Sequence, residues 1–454
     1  MRGGLFYNHI VNVFKYIGGV ITMAESVVKG QKRTPLPRLL FGIIFGYGFM
    51  MMGFLLPGAL LLTFKLMEID PDGFTSSYGL VAGIGAFFAL IGNPIGGALS
   101  DRTNIKFGRR RTWILIGPLL GAGTLLWIGF ATELWQIVVG WSLAQLFFNF
   151  GMAAYTALIP DQVKEEKQGM VSGILGLVLP VAMSLGLAIM MVMSGVSSDM
   201  KWIFVAVVSI VGPLISLFFI RDGKVEMPKV AKEQISFSEK MSRVYPSPRK
   251  FPAFSRAILS KFLMMMGYCS SLYLTVMLVS RMGYTEGQVT SSVATINIIS
   301  LAAMAFTSII GGILADKFRK QKPFLYGSAA MMVVGILIFA FVPNYTAYII
   351  ASIIMGLGGG CFTAVDMALV ARILPSKEDA AKDFGLMNVA NCLPQSIVPA
   401  IAPLLLGIGG WSFFYIALAV CVVLGMMALR PLPELDSKHT AEVELTTPEM
   451  AVKF

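Results

Sequence analysis

Long apolar stretches alternate with short polar or charged connections along almost the whole chain. A bilayer core about 30 Å thick is crossed by roughly 20 apolar residues in helix, at 1.5 Å each. Twelve stretches meet that length: 39–64, 78–99, 112–130, 135–159, 170–194 and 202–220, then 256–280, 289–315, 323–342, 345–371, 384–407 and 410–429. All are predicted to be helices, because backbone in lipid must satisfy its own hydrogen bonds. The pattern therefore predicts an all-α membrane protein with 12 transmembrane helices.

One long polar connection interrupts the series. Residues 221–255 include "RDGKVEMPKVAKEQISFSEKMSRVYPSPRKFP", which is basic, contains proline and separates six spans from six. The predicted organisation is thus an N-terminal segment (1–38), a first six-helix bundle (39–220), a linker (221–255), a second bundle (256–430) and a tail (431–454). In the N-terminal segment, Phe6, Ile10, Val13, Phe14, Ile17 and Ile21 recur at helical spacing, while Asn8, His9, Asn12 and Lys15 interrupt the run. It is too broken for a span and has no cleavage site of a signal peptide. It reads either as an interfacial helix or as a stretch ahead of a true start at Met23.

Composition agrees with the pattern: of 454 residues, 56% are hydrophobic and only 13% charged, against about 25% charged in soluble domains. The net charge of +11 changes the picture only through its distribution. Of the 36 lysines and arginines, Lys65, Lys201 and Arg281 fall in connections on one side and Lys261 lies inside span seven. The other 32 lie on the side that holds both termini. Translocating positive charge is unfavourable, so both termini are expected in the cytoplasm, with the protein multi-pass in the plasma (inner) membrane. Nucleic acid is not expected as a partner, since the densest basic run, "KFGRRR", is tethered between two spans. The four cysteines sit in apolar stretches without metal-ligand spacing and read as packing residues. The only histidines, His9 and His439, lie near the ends. Neither a metal nor a cofactor is expected, no nucleophile–base pair of an enzyme is readable, and no phosphate-binding Gly-x-x-x-x-Gly-Lys-Ser/Thr loop occurs.

The charged connection after span two has a twin. "GGALSDRTNIKFGRRRTWILIG" (96–117) precedes span three, and "GGILADKFRKQKPFLYGS" (311–328) precedes span nine. Both read Gly-Gly-x-Leu-x-Asp and then a cationic turn. "ALIPDQVKEEKQG" after span four and "ALVARILPSKEDAAKDFG" after span ten form a weaker pair. Matching connections in equivalent positions indicate two pseudo-symmetric bundles with a solute site between them near mid-membrane.

These loops resemble the signature of the major facilitator superfamily, in both halves. The longer Asp101-to-Gly108 spacing and "YTALIPDQVKEEKQG" (155–169) are similar to the glycoside–pentoside–hexuronide:cation symporters and the sucrose carriers. In that superfamily the loop locks the two halves together on the cytoplasmic side. The resemblance implies a gate built from Asp101, Arg102, Gly108, Arg109 and Arg110, with Asp316 and Lys317 as counterparts. Asp101 is placed to face a helix N-terminus or to pair with Arg109, Arg110 or Arg111, and Gly97 and Gly312 to allow close helix contact. The alternative is a topology anchor.

Polar side chains inside spans are costly unless they face a cavity or bond another helix. Asn388, Asn391 and Gln395 recur at i, i+3 and i+7, on one face of span eleven. Gln145 and Asn149, with Thr156, form a similar stripe on span four. Asn297 and Ser300 on span eight, Tyr268, Ser271 and Thr275 on span seven, Tyr47 on span one and Asn93 on span two complete the candidates. Each is either a solute contact or an inter-helix bond. Asp366, in "GGGCFTAVDMALVAR", is the one acid clearly at membrane depth, within reach of Lys261. It is a candidate proton-coupling group or half of a structural ion pair. The carboxylate cluster of melibiose-type sodium symporters on spans one, two and four is missing, as is the Gly-Pro-rich span five of drug–proton antiporters.

The expected function is secondary active transport by alternating access, with uptake of a sugar or glycoside coupled to a proton or another monovalent cation, in a monomer embedded in lipid. A facilitator or exporter of amphipathic molecules is the alternative within transport. A non-transporting assembly factor or receptor is the alternative outside it.

Overall fold

The computed structural model describes residues 34–223, 251–318, 321–373 and 380–431. Most of the N-terminal segment, of the linker and of the tail lies outside the described residues. The secondary structure is helical: α1 (Leu36–Leu56, continued by Pro57–Leu61 and Leu62–Ile69), α2 (Phe74–Arg102), α3 (Arg109–Gly129), α4 (Leu134–Gln162), α5 (Glu165–Val192) and α6 (Ser198–Phe219) form the first set. The second is α7 (Pro252–Tyr268, continued by Cys269–Tyr273 and Leu274–Met282), α8 (Glu286–Phe318), α9 (Lys322–Phe341), α10 (Tyr345–Ile373) and a 50-residue segment, Ala380–Leu429.

That last segment is two spans. Its most apolar part alone runs 41 residues, about 60 Å of helix and twice a bilayer core. Gly410, with φ 64° and ψ −162°, breaks it beside Gly409, in a conformation open to glycine but unfavourable for residues with a Cβ. The neighbours show the reversal. Met387, before the break, packs with Phe254 and Ala257 at the start of α7. Ser412, just after it, donates to the Ala340 carbonyl at the far end of α9, and the Arg430 carbonyl accepts from Lys322 at the near end of α9. We call 380–408 α11 and 411–429 α12. With them the described helices make twelve spans, several longer than the hydrophobic pattern predicts; α1 extends to Ile69 and α2 starts at Phe74.

Helices pack mainly within their own half, α1 on α6, α2 on α4, α8 on α10 and α7 on α12, while α2–α11 and α5–α8 join the halves. Small residues set these contacts. A side chain at Gly117 would strike the backbone of α4, and one at Gly360 the backbone of α8. With lipid as solvent, such close approach and its dispersion contacts replace the hydrophobic drive of water. We call the membrane side at which the described residues begin and end, at Thr34 and Pro431, the terminal face and the opposite side the far face.

Two helices are irregular in their far-face halves. In α1, Pro57–Leu61 is a π-turn, closed by the Leu62 N–H on the Pro57 carbonyl. In α7, Cys269–Tyr273 tightens to 3-10 geometry. Irregular backbone at membrane depth is tolerated where it is buried in protein or lines a cavity, and both breaks do line one.

Candidate functional site

A cavity of 840 Å³ lies between the two sets of helices. The first half contributes Asn93, Gln145, Asn149 and Thr156, and the second Tyr268, Ser271, Thr275, Asn297, Ser300, Asn391 and Gln395. The candidate stripes on α4, α7, α8 and α11 are thus brought to one space. Two amides have a fixed orientation there: Asn149 Nδ2 donates to the Gln145 carbonyl at 2.7 Å, and Asn297 Nδ2 to the Val293 carbonyl at 2.9 Å. Each amide then offers its oxygen as an acceptor and keeps a second N–H as a donor.

Tyr47 is placed differently. It is buried, not among the described lining, with its ring edge-on to Tyr155 at 5.7 Å. Helical spacing says which residues share a face but not which face meets the cavity. The side chains of Asp316 and Asn388 lie outside the described ones, and Lys317 is exposed. Sequence reasoning missed the aromatic walls: Phe54, Tyr78, Trp141, Phe339 and Tyr415 line the space. Trp141 stacks on Phe54 at 5.9 Å, and a side chain at Gly85 would collide with its indole. No charged side chain is among the described lining residues.

The charged loop after α2 folds back on its own half. Arg110 Nη2 reaches Asp101 at 2.7 Å, its Nη1 donates to Ser100 at 2.8 Å, and its Nε meets Asp161 at 2.6 Å. The second oxygen of Asp161 takes Arg109 at 2.7 Å. Arg110 is buried and Asp161 has 13% of its side chain exposed, while Asp101 is 62% exposed. The planar fork of arginine suits this arrangement, since its donors diverge toward three acceptors at once. Arg102 is exposed.

Two details correct the sequence reading. The carboxylate at the α3 N-terminus belongs to Asp222, not Asp101: its Oδ2 accepts the backbone N–H groups of Arg110 at 2.7 Å and Arg111 at 3.2 Å. Gly108, with φ 115°, lets Asp222 in; a Cβ there would sit 2.6 Å from it. Helix N-termini favour an anion so placed. The close contact expected at Gly97 is also absent, for a Cβ there would meet open space, whereas one at Gly96 would hit Phe150 of α4. Asp161 and Asp222 carried faint signals: one is the acid in "ALIPDQV", the other lies two residues beyond span six.

Among the described residues, the second half holds one buried ion pair. Lys261 Nζ donates to Asp366 Oδ2 at 2.8 Å, with 11% and 8% of their side chains exposed. Counted along α7 and α10, the pair lies about 10–14 Å inside the terminal ends of those helices.

Twelve spans around a central, uncharged cavity define a polytopic membrane transporter. A sequence model of the Major Facilitator Superfamily matches residues 38–304 and 290–452, and the chain belongs to that family. Among curated relatives, it is 28% identical over 167 residues to the multidrug resistance protein MdtL of Shewanella oneidensis, covering 39% of that protein and 35% of this chain. It is 23% identical to the class H tetracycline resistance protein of Pasteurella multocida, over 70% of that protein and 64% of this chain. Among solved structures, a D-xylose-proton symporter superposes with a TM-score of 0.64 at 14% identity, covering 88% of this chain and 97% of that one. The human organic anion transporter MFSD10 gives 0.61 at 14% identity, over 87% and 100%.

Proposed function

We propose that the chain is a secondary active transporter that takes up a neutral, hydroxyl-bearing solute, a sugar or glycoside, together with a proton. The observation that carries this reading is the cavity: amide and hydroxyl groups from both halves, aromatic walls, and no charged group among the described lining. Acceptor oxygens such as those of Asn149 and Asn297 match the donors of a sugar hydroxyl, while the faces of Trp141 and Phe54 match its apolar ring surface. An ionic solute would lose hydration without gaining an ionic partner. The sequence resemblance to sugar carriers supports the same solute class.

Alternating access moves the solute between the faces. In this reading the terminal face is cytoplasmic, the Arg109–Arg110–Asp161 cluster with Asp101 is its gate in the first half, and Asp316 and Lys317 serve the second. Asp366 takes the proton: protonation neutralises it and releases Lys261 from an ion pair made in a low dielectric.

Export of amphipathic compounds is the second reading. It is favoured by the efflux and tetracycline resistance relatives and by Met51, Met152, Met183, Met355 and Phe54 in the lining, since methionines adapt to varied apolar shapes. Thermal unfolding of the purified protein against sugars, nucleosides and drugs separates the two, because a ligand of the folded state raises its melting temperature by mass action. Stabilisation by sugars or glycosides is expected; stabilisation by amphipathic drugs alone would overturn the uptake reading.

A further inference from the structure

The two irregular turns meet across the halves. The Tyr78 hydroxyl of α2 lies 3.1 Å from the Gly58 carbonyl in the π-turn of α1 and 3.2 Å from the Leu272 carbonyl in the 3-10 turn of α7. The Thr275 hydroxyl of α7 donates back to the Ala59 carbonyl of the same π-turn. Widened and tightened turns both tilt carbonyls away from the regular helical ladder. Here the donors that meet the Leu272 and Ala59 carbonyls come from the opposite half, and the Gly58 carbonyl shares Tyr78 with Leu272. All five residues also line the cavity.

The surroundings are built for closure. The Tyr78 ring sits edge-on to Tyr273 at 5.3 Å. One and five residues further along α2, Gly79 and Gly83 press on Pro403 and Ala400 of α11, leaving no room for a side chain at Gly79. Nearer the far surface, Lys201 at the start of α6 pairs with Glu286 at the start of α8. Among the described residues, two hydrogen bonds and an ion pair between the halves lie in this far-face layer.

We propose that Tyr78 and Thr275 form the latch that holds the far face closed, and that Tyr78 is an exchange hydroxyl. It has one hydrogen and two carbonyls to serve, one in each half. When the halves separate, the hydrogen passes wholly to Gly58, within its own half, and no buried donor is orphaned. Opening then breaks the bond to Leu272 and the bond from Thr275 and parts the Tyr78 ring from Tyr273. Because the latch residues face the cavity, a solute seated there touches the gate directly. The proposal does not depend on the class of solute.

Tyr78→Phe keeps the ring and its contact with Tyr273 and removes only the hydroxyl. Thr275→Val keeps the shape and removes the second bond. Spin labels at Thr132→Cys and Pro343→Cys, in the far-face α3–α4 and α9–α10 turns of a variant without native cysteines, report the separation of the halves in lipid nanodiscs. Each latch variant is expected to shift the ratio of long to short distances about tenfold toward long, the weight of one buried hydrogen bond. Thr275→Ser, which keeps the hydroxyl, is expected to match the parent. If Tyr78→Phe fails to fold, Thr275→Val against Thr275→Ser decides alone. Distance distributions unchanged in the latch variants, or changed equally by Thr275→Ser, would overturn the proposal.

Discussion

The two halves handle buried charge in different ways. In the first half, Asp161 serves two arginines and Arg110 serves three acceptors, close to the membrane edge. In the second, Lys261 and Asp366 share one bond, the one that joins them among the described residues. A single proton added to the first assembly leaves most of its contacts in place. The same proton on Asp366 removes the whole ionic interaction. In the proposed reading, redundancy suits the first to holding and the single described bond suits the second to responding.

Four variants test that contrast, from the largest expected effect to the smallest. Asp366→Asn retains shape and a hydrogen-bond acceptor but cannot titrate. Gradient-driven accumulation in proteoliposomes is expected to vanish while solute exchange at equal pH persists. Uphill transport at the parent rate would remove Asp366 from coupling. Arg110→Ala leaves Asp161 with Arg109 alone and removes the donor to Ser100, and is expected to lower unfolding stability in detergent by about 1–3 kcal/mol. Asp222→Ala removes the cap of α3 and should lower it by about 1 kcal/mol. Asp101→Asn alters the exposed member of the cluster and should shift it by less than about 1 kcal/mol. A loss for Asp101→Asn as large as that for Arg110→Ala would show that the assembly is not redundant.

The span pattern was legible because lipid demands about 20 apolar residues per crossing, and the predicted boundary between 384–407 and 410–429 falls at the break the structure places at Gly410. The polar stripes on α4 and α8 were legible for the same reason: an uncompensated amide in hydrocarbon is too costly to be accidental. Tyr47 was not, since a phenol is equally at home against Tyr155 and against a cavity. The π-turn at Pro57 and the 3-10 turn at Cys269 were hidden because a change of helical register leaves hydropathy unchanged. Asp222 was hidden because its partners are backbone N–H groups at the start of α3, more than a hundred residues earlier in the chain.

The central claim is proton-coupled uptake through an uncharged cavity. Its most direct test is entry of labelled sugars and glycosides into proteoliposomes whose lumen is more alkaline than the bath. At least one of them is predicted to accumulate above its external concentration, and to stop doing so when a protonophore collapses the gradient. Accumulation of none, with tetracycline or another amphipathic drug driven out against its gradient instead, would contradict the account.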